Sequence, residues 1–471
     1  MAIFFKQGEN KNRPGLYQRH TNVGFNKPTS ATDGICAIPV QANWGPLGKV
    51  LKNVSKGDLR NNYGSGVYAS GYTVPAAAAM FDGKASVVYT YRMGTGGKAA
   101  SLELTGGLTV TAKYPGTMPI SVAVQEKIGN TAVKQFLVYN GTAQVEVWEF
   151  AADGKAEGAN LISATAKSKY ITVTGTATTV SALAVASGAL TGGANPTVTN
   201  EDYSKAFAAL EPFYYNTIAL DVDDDENMTL SLLLKEYLEA AYVLGKLGSM
   251  VVGQPTTVDF ETRLANTRKF NDPKVIFLGS GYKVGTDTKD GVLAICYTAG
   301  VIAATPSNQS ITHAIIDGAT ELCESLTFAD YEAAISSGML LISMSNDGTI
   351  WYDSGVNTLT ALDPATQDEG WTKIRRTKTR FEMIDRIDRA LSPKVGRVSA
   401  DTDGIADIIQ TAQSVLNAMV TEGKLLSGAT FMEDPENPHQ GDSAHFIIQS
   451  DDIDSLEKIY LQYQFRYSQN S

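Results

Sequence analysis

Histidine is scarce in this chain of 471, with four in all: His20, His313, His439 and His445. None falls in an H-E-x-x-H pair, and no G-x-S-x-G elbow occurs, so zincin and α/β-hydrolase signatures are both missing. A Ser-His-Asp site would have to assemble from residues far apart in sequence, with no local signature to mark it. Cysteine is rarer still: Cys36, Cys296 and Cys323. Their number is odd, no two have ligand spacing, and all sit in apolar stretches. They read as buried free thiols in a reducing compartment. Positive charge is the minority sign, 39 Lys and Arg against 50 Asp and Glu, for a net charge of −11. Such acidity works against bulk binding to nucleic acid or to an anionic membrane surface. Long apolar runs are absent too. None approaches the ~18 residues of a membrane span. The opening "MAIFFKQGENKNRPG" has only five apolar residues before Lys6, too few for a secretion signal. The expectation is a protein made and folded in the cytoplasm. No period of 20–50 residues recurs, which excludes a solenoid or propeller.

The length and a hydrophobic content of 43% predict several globular domains. Residues 1–30 are polar and rich in Asn, Gly and Pro, and read as an extended arm, with "NVGFNKPTSATDG" (22–34) as a hinge. Residues 31–97 combine the strand-like "GICAIPVQANWGPLGKV", the Ala-rich "VPAAAAMF" and the strand "ASVVYTYRM". From 98 to 200, short Val/Thr segments separated by Gly and Asn turns predict a β-sandwich or small barrel of six or seven strands. The stretch "ASGALTGGANPTVTN" (186–200) reads as its exit linker. From 201 to 362 strand and helix patterns alternate, which argues for a largely parallel sheet covered by helices. There "LTFADYEAAISSG" carries Thr327 as N-cap, Asp330 at the third helical position and Gly338 as the stop. Residues 363–471 read as a small α+β unit with two helices and two strands. The fold class is thus α+β multidomain, with a central α/β layered domain.

Three stretches invite a chemical reading. "GSGYKVG" (279–285) is one residue off the dinucleotide fingerprint and has no clear helix after it, so it reads as a strand-to-loop turn. "DVDDDEN" (221–227) fails the calcium-loop pattern at Glu226 and Leu232, and reads as a solvated acidic loop before a helix N-terminus, with a loosely bound divalent ion as the alternative. The cluster Lys373, Arg375, Arg376, Lys378 and Arg380 is the one positive concentration in an acidic chain. It reads either as a solvated strand face or as a docking surface for an acidic partner.

The end of the chain, "LEKIYLQYQFRYSQNS", alternates without a slip. Ile459, Leu461, Tyr463, Phe465 and Tyr467 face one way, with Tyr460, Gln462, Gln464 and Arg466 opposite, the pattern of a strand with one apolar face. An open strand so near a terminus invites pairing with another chain.

Several segments together resemble the contractile tail sheath proteins of myophages and R-type bacteriocins. They are "RPGLYQR", "GICAIPVQANWGPLGKV", "LTVTAKYPGTMPISVAV" and "AGVIAATPSNQSITH" (with Ala299, Gly300, Ala303, Asn308, Ser310 and Thr312), then "ALSPKVGRV" after Asp385 and Asp388, and "LEKIYLQYQFRY". They fall in family order from residue 13 to residue 467, with Met118-Pro119 departing from the family's usual Trp-Gly-Asn. The resemblance implies a structural subunit and not an enzyme. It implies a central domain like a subtilisin layer without catalytic residues, no cofactor, and hexameric rings stacked helically around an inner tail tube. Baseplate and tail terminator proteins are the further partners, with no membrane and no direct nucleic acid, and the sheath acts in a virion tail or bacteriocin particle. It also implies that arms pair as strands with neighbouring subunits: Ile3, Phe4 and Phe5 at one end, Ile459, Leu461, Tyr463, Phe465 and Tyr467 at the other. The basic cluster becomes a candidate tube-facing surface. The competing readings are an α/β hydrolase or protease with an accessory β-domain, and a surface-layer or adhesin protein.

Overall fold

In a computed structural model the described residues are 33–64, 74–175 and 180–465, with the strand backbones Ile3–Phe4 and Tyr17–Gln18. The chain divides into two compact units: residues 32–382 with 452–471, and residues 383–451 with 1–31.

The larger unit is built on a seven-stranded sheet. Its order across the sheet is Met339–Leu340, Val275–Leu278, Ser249–Gly253, Thr217–Ile218, Ile35–Val40, Val87–Arg92 and Val50–Asn53. All neighbours are parallel except the last, which pairs antiparallel at one edge. Successive residues alternate between two cores, as pleating requires. Cys36, Ile38, Val40, Val251, Ile276, Leu278 and Leu340 enter one. Ile35, Ala37, Met250, Val252, Val275, Phe277 and Met339 enter the other. A sheet buried on both faces explains why these strands read as unbroken apolar runs.

Over the first core lie the helices Pro75–Asp82 and Val292–Ala304, and their composition follows from how closely they meet. A Cβ placed on Gly300 would stand 2.1 Å from the Met80 carbonyl oxygen, and one on Gly83 2.1 Å from that of Tyr297. The Ala-rich run and the Ala299-Gly300 pair exist because nothing larger fits between the two backbones. The acidic loop supplies the start of the second helix. Asp223 accepts from the Val292 N–H at 2.7 Å. Asp224 and Asp225 do the same for the helix Thr229–Val243, accepting from Ser231 and Thr229 at 2.7 and 3.0 Å. These carboxylates meet unpaired N–H groups and the positive end of the dipole. Capping of Phe328–Ser337 by Thr327 and Asp330 matches the sequence expectation, with Gly338 left-handed at φ +76.

Residues 101–189 form two antiparallel sheets around one core. One runs Ala143–Ala151, Asn130–Asn140, Ile120–Lys127, Ala186–Ala189; the other Ile171–Gly175, Leu108–Ala112, Ser101–Leu104. Two departures from the sequence reading stand out. The helix Glu157–Thr165 interrupts the strands, and the segment read as an exit linker is an edge strand followed by bridges at Thr191, Ala194 and Thr197. Its Gly and Thr residues serve close approach: a Cβ on Gly193 would lie 2.2 Å from the Gly116 carbonyl oxygen.

A fully buried arginine joins sheet and sandwich. Arg92 donates to the carbonyl oxygens of Ala42 (2.7 and 3.1 Å), Gly45 (2.7 Å) and Pro115 (2.8 Å). Beside it Trp44 stacks on Tyr170 and meets Tyr114 edge-on, both at about 5 Å. The "ANWGP" and "YPG" turns thus interlock through one side chain.

In the smaller unit the second half of the helix Ile374–Leu391 packs with Thr402–Thr421 and the hairpin Thr430–Glu433/Phe446–Gln449 through Ile387, Val415, Leu416, Met419 and Phe431. Arg386 forks onto Glu422 at 2.9 and 2.7 Å, which pulls the Glu422 carboxyl down to about 2. "ALSPKVGRV", expected as a short strand, is instead a 3₁₀ turn at Ser392–Lys394 and a loop. Pro393 inside it cannot donate to a ladder.

Candidate functional site

His313 is exposed and stacks on Trp351, His439 pairs with Glu433 at 2.7 Å, and His445 is exposed on its loop. His20 lies outside the described residues. "GSGYKVG" enters the hairpin Tyr282–Val284/Asp287–Lys289 and opens no helix. Cys36 and Cys296 are buried and Cys323 half-buried, all free, and burial pushes the Cys36 thiol up to about 12. Among the described residues no three of His, Cys, Asp and Glu are placed to hold a metal ion.

The acidic loop is less solvated than expected. Asp221 is half-buried just past the carboxyl end of the strand Thr217–Ile218, accepting from the Gln41 N–H at 2.5 Å and the Tyr203 hydroxyl at 2.9 Å. Burial raises it to about 6, with those two donors opposing. Its site is where strand order reverses, between Ile35–Val40 and Thr217–Ile218, the usual crevice of such sheets. Here Gln41 and Tyr203 fill it.

Two sequence-marked stretches meet that the sequence reading had kept separate. Four of the five cluster residues, Arg375, Arg376, Lys378 and Arg380, belong to the helix Ile374–Leu391, correcting the expectation of a strand face, while Lys373 is extended just before it and bridges Val356. Arg376 contacts Asp452 at 2.5 and 3.0 Å, and Arg380 contacts the same carboxylate at 3.0 Å. Arg375 donates to the Ser455 hydroxyl at 2.7 Å. Lys373 pairs with Glu457, which also accepts from Thr312 at 2.9 Å. Lys378 pairs with Asp33 at 3.1 Å and donates to the Ile302, Ala303 and Thr305 carbonyls. Burial raises Asp452, but the two arginines outweigh it and hold the carboxyl below its ordinary value. Pairing with Asp452 in turn raises the Arg376 guanidinium. All five cations therefore meet oxygen atoms of their own chain, which leaves little of the positive field a tube-facing surface would need. A signal for this existed in sequence: "SDDIDSLE" (450–457) is the acidic counterpart of "KIRRTKTRF".

Beyond Glu457 the chain is exposed. Residues 453–465 pair with no strand of their own chain among the described residues. Ile459, Leu461, Tyr463 and Phe465 are 68–94% exposed. The rings of Tyr463 and Phe465 lie nearly parallel with centroids 6.4 Å apart, as alternate residues on one face of an extended chain do. Tyr467 and Phe5 lie outside the described residues. At the other end, Ile3 and Phe4 form a two-residue parallel ladder with Tyr17 and Gln18 of their own chain, a partner the sequence did not indicate.

Comparison with known proteins agrees along the chain. Residues 196–354 match the phage tail sheath protein central domain, and residues 95–195 the phage tail sheath protein beta-sandwich domain. Two relatives come from Bacillus subtilis strain 168. The uncharacterized protein YqbK is 25% identical over 370 residues, 76% of this chain and 75% of that one. The phage-like element PBSX protein XkdK is 22% identical over 479 residues, 97% of this chain and 98% of that one. The crystal structure of a sheath tail protein from Desulfitobacterium hafniense superposes with a TM-score of 0.72 at 20% identity, covering 93% of this chain and all of that one. The anti-feeding prophage helical sheath in its contracted state gives 0.53 at 13% identity, covering 97% and 99%.

Proposed function

Because the chain belongs to the phage tail sheath protein family, we propose that it is a sheath subunit. It stacks as hexameric rings around an inner tube and shortens on a baseplate trigger, driving that tube through a target cell envelope. Its partners are copies of itself, the tube protein, and the baseplate and tail terminator proteins. It is assembled in the bacterial cytoplasm into a phage tail or a bacteriocin-like particle. On this reading the central sheet is a subtilisin-like layer used as scaffold.

The single observation that carries the reading is the exposed C-terminal segment, whose sequence alternates like a strand. Its apolar side chains at Ile459, Leu461, Tyr463 and Phe465 lie outside any ladder among the described residues, an arrangement that attracts another chain. We infer that residues 459–467 add to a neighbour's sheet, joined by the Ile3–Phe5 arm of another subunit. The hairpin Thr430–Glu433/Phe446–Gln449 suits the receiving part: it is two-stranded, and both outer edges lack a strand among the described residues. Each backbone hydrogen bond contributes roughly 0.5–1.5 kcal/mol. Four to six per junction give on the order of 2–9 kcal/mol. Main-chain pairing can persist while side-chain interfaces elsewhere are rebuilt during contraction.

Negative-stain microscopy tests this directly. The full chain is expected to form tubes of sheath width, and chains lacking residues 1–12 or 459–471 to remain short oligomers. Long, regular tubes from either truncation defeat the arm model.

A further inference from the structure

The proposed arms leave the body at Asp33 and at Glu457, and one short stretch of helix touches both places. We propose that residues 373–380 form a double clasp fixing the roots of the two arms in one rigid frame, so that both arms depart from positions set by a single ionic network. This rests on the arm-exchange reading and adds to it the residues that position the arms.

The geometry divides the stretch into two stripes. Arg376 and Arg380, four apart, lie on one side of the helix, and Lys373 stands at the extended residue just before its start. They hold Glu457 and Asp452, so the tail runs antiparallel to the helix. Arg375 adds Ser455 between these two anchors. Anchors thus fall at 452, 455 and 457, with Asp454 and Leu456 exposed between them and every residue from Lys458 to Phe465 exposed after them.

Lys378 points elsewhere. Its ammonium lies 3.1 Å from Asp33 Oδ1 and donates to three carbonyls, two of them at 2.9 Å, from the last turn of the helix Val292–Ala304 and the residue after it. Oxygen atoms concentrate there because the final carbonyls of a helix lack intrahelical donors. The Gly34 N–H adds a bond to Ala303 at 2.8 Å, with Gly34 held at φ +83. The chain is therefore bolted down from Asp33 onward, and the hinge read from sequence as 22–34 stops before its last two residues. One turn further, Ser307 donates to Glu382 and tightens the same seam.

The clasp has a mechanical consequence. Tension arriving on one arm reaches the other through the eight residues 373–380, seven of them in one helix, without passing through the sheet or the sandwich. Side-chain ion pairs hold the C-terminal root, whereas backbone carbonyls of the body help to hold the N-terminal one. The C-terminal root is accordingly the easier to release by changing charge.

The test compares four chains: wild type, Arg376→Glu/Arg380→Glu, the same pair with Asp452→Arg added, and the deletion of residues 459–471. Folding is followed by thermal unfolding, root release by protease cleavage within residues 452–458 of the unassembled subunit, and assembly by tube yield in negative stain. The double reversal is expected to keep a cooperative transition, speed cleavage tenfold or more and cut tube yield at least tenfold. Adding Asp452→Arg should recover much of both losses. Wild-type cleavage rates and yields from the double reversal overturn the clasp. If the deletion abolishes tubes while the double reversal leaves them unchanged, only the clasp fails; if the deletion itself assembles normally, the arm reading fails. Should the double reversal not fold, Asp452→Asn/Glu457→Gln leaves the helix untouched, and the same two readouts decide in the same directions.

Discussion

Single residues carry the clearest chemistry here, and two give sharp expectations. Arg92 has no carboxylate partner; burial lowers it to about 10, and it is held by carbonyl dipoles alone. Replacing it with Met removes the donors and leaves buried carbonyls unsatisfied, at about 3–5 kcal/mol. Urea unfolding should register that loss. Asp221 gives a pH dependence. Its folded value of about 6 lies above the ordinary 3.8, so the folded state takes up a proton before the unfolded one does. Stability from this group therefore rises as pH falls through 6 towards 4, and the half-buried charge opposes folding above that window. Between pH 7.5 and pH 5 the wild type should gain on the order of 1–3 kcal/mol relative to Asp221→Asn. A difference that stays constant across that range would contradict the assignment.

At the scale of elements, close contact between two helices constrains the fold more than any polar interaction. The helices Pro75–Asp82 and Val292–Ala304 touch through Gly83 and Gly300, and a methyl group at Gly300 meets backbone where no rotamer change can relieve it. Gly300→Ala should cost about 1–3 kcal/mol, seen as a lower urea midpoint, whereas Ala offers better intrinsic helix propensity. A stabilised variant would mean that the helices separate freely. Elements also show where sequence reading succeeded and where it stopped. The Thr327–Asp330 cap, the buried parallel strands and the sandwich strands all follow from local periodicity. The helix Glu157–Thr165 did not, because its start carries no capping side chain. The basic stretch was read as a strand face because its alternating Arg and Thr residues mimic period 2. In the helix they divide between partners on different sides.

For the whole molecule, the expectation is that folding and assembly come apart. Of the residues removed with 459–471, those described, 459–465, are exposed, so the unfolding temperature of the isolated subunit should change by no more than about a degree or two. Tube formation should be lost. Calorimetry and microscopy on the same preparation check both halves, and a large drop in unfolding temperature would mean that the tail stabilises its own subunit.

The alternation of residues 459–467, the charge of the 373–380 stretch and the strand–helix rhythm of the centre are local properties. The sequence by itself therefore determined them, because side-chain period and composition act over a few neighbours. That Asp452 and Glu457 answer Arg376, Arg380 and Lys373, that Lys378 reaches back to Asp33, and that Asp221 is half-buried were decided only by tertiary structure. These pairings join residues about 70 to 350 positions apart. Which carboxylate meets which cation depends on chain crossings that no local pattern records.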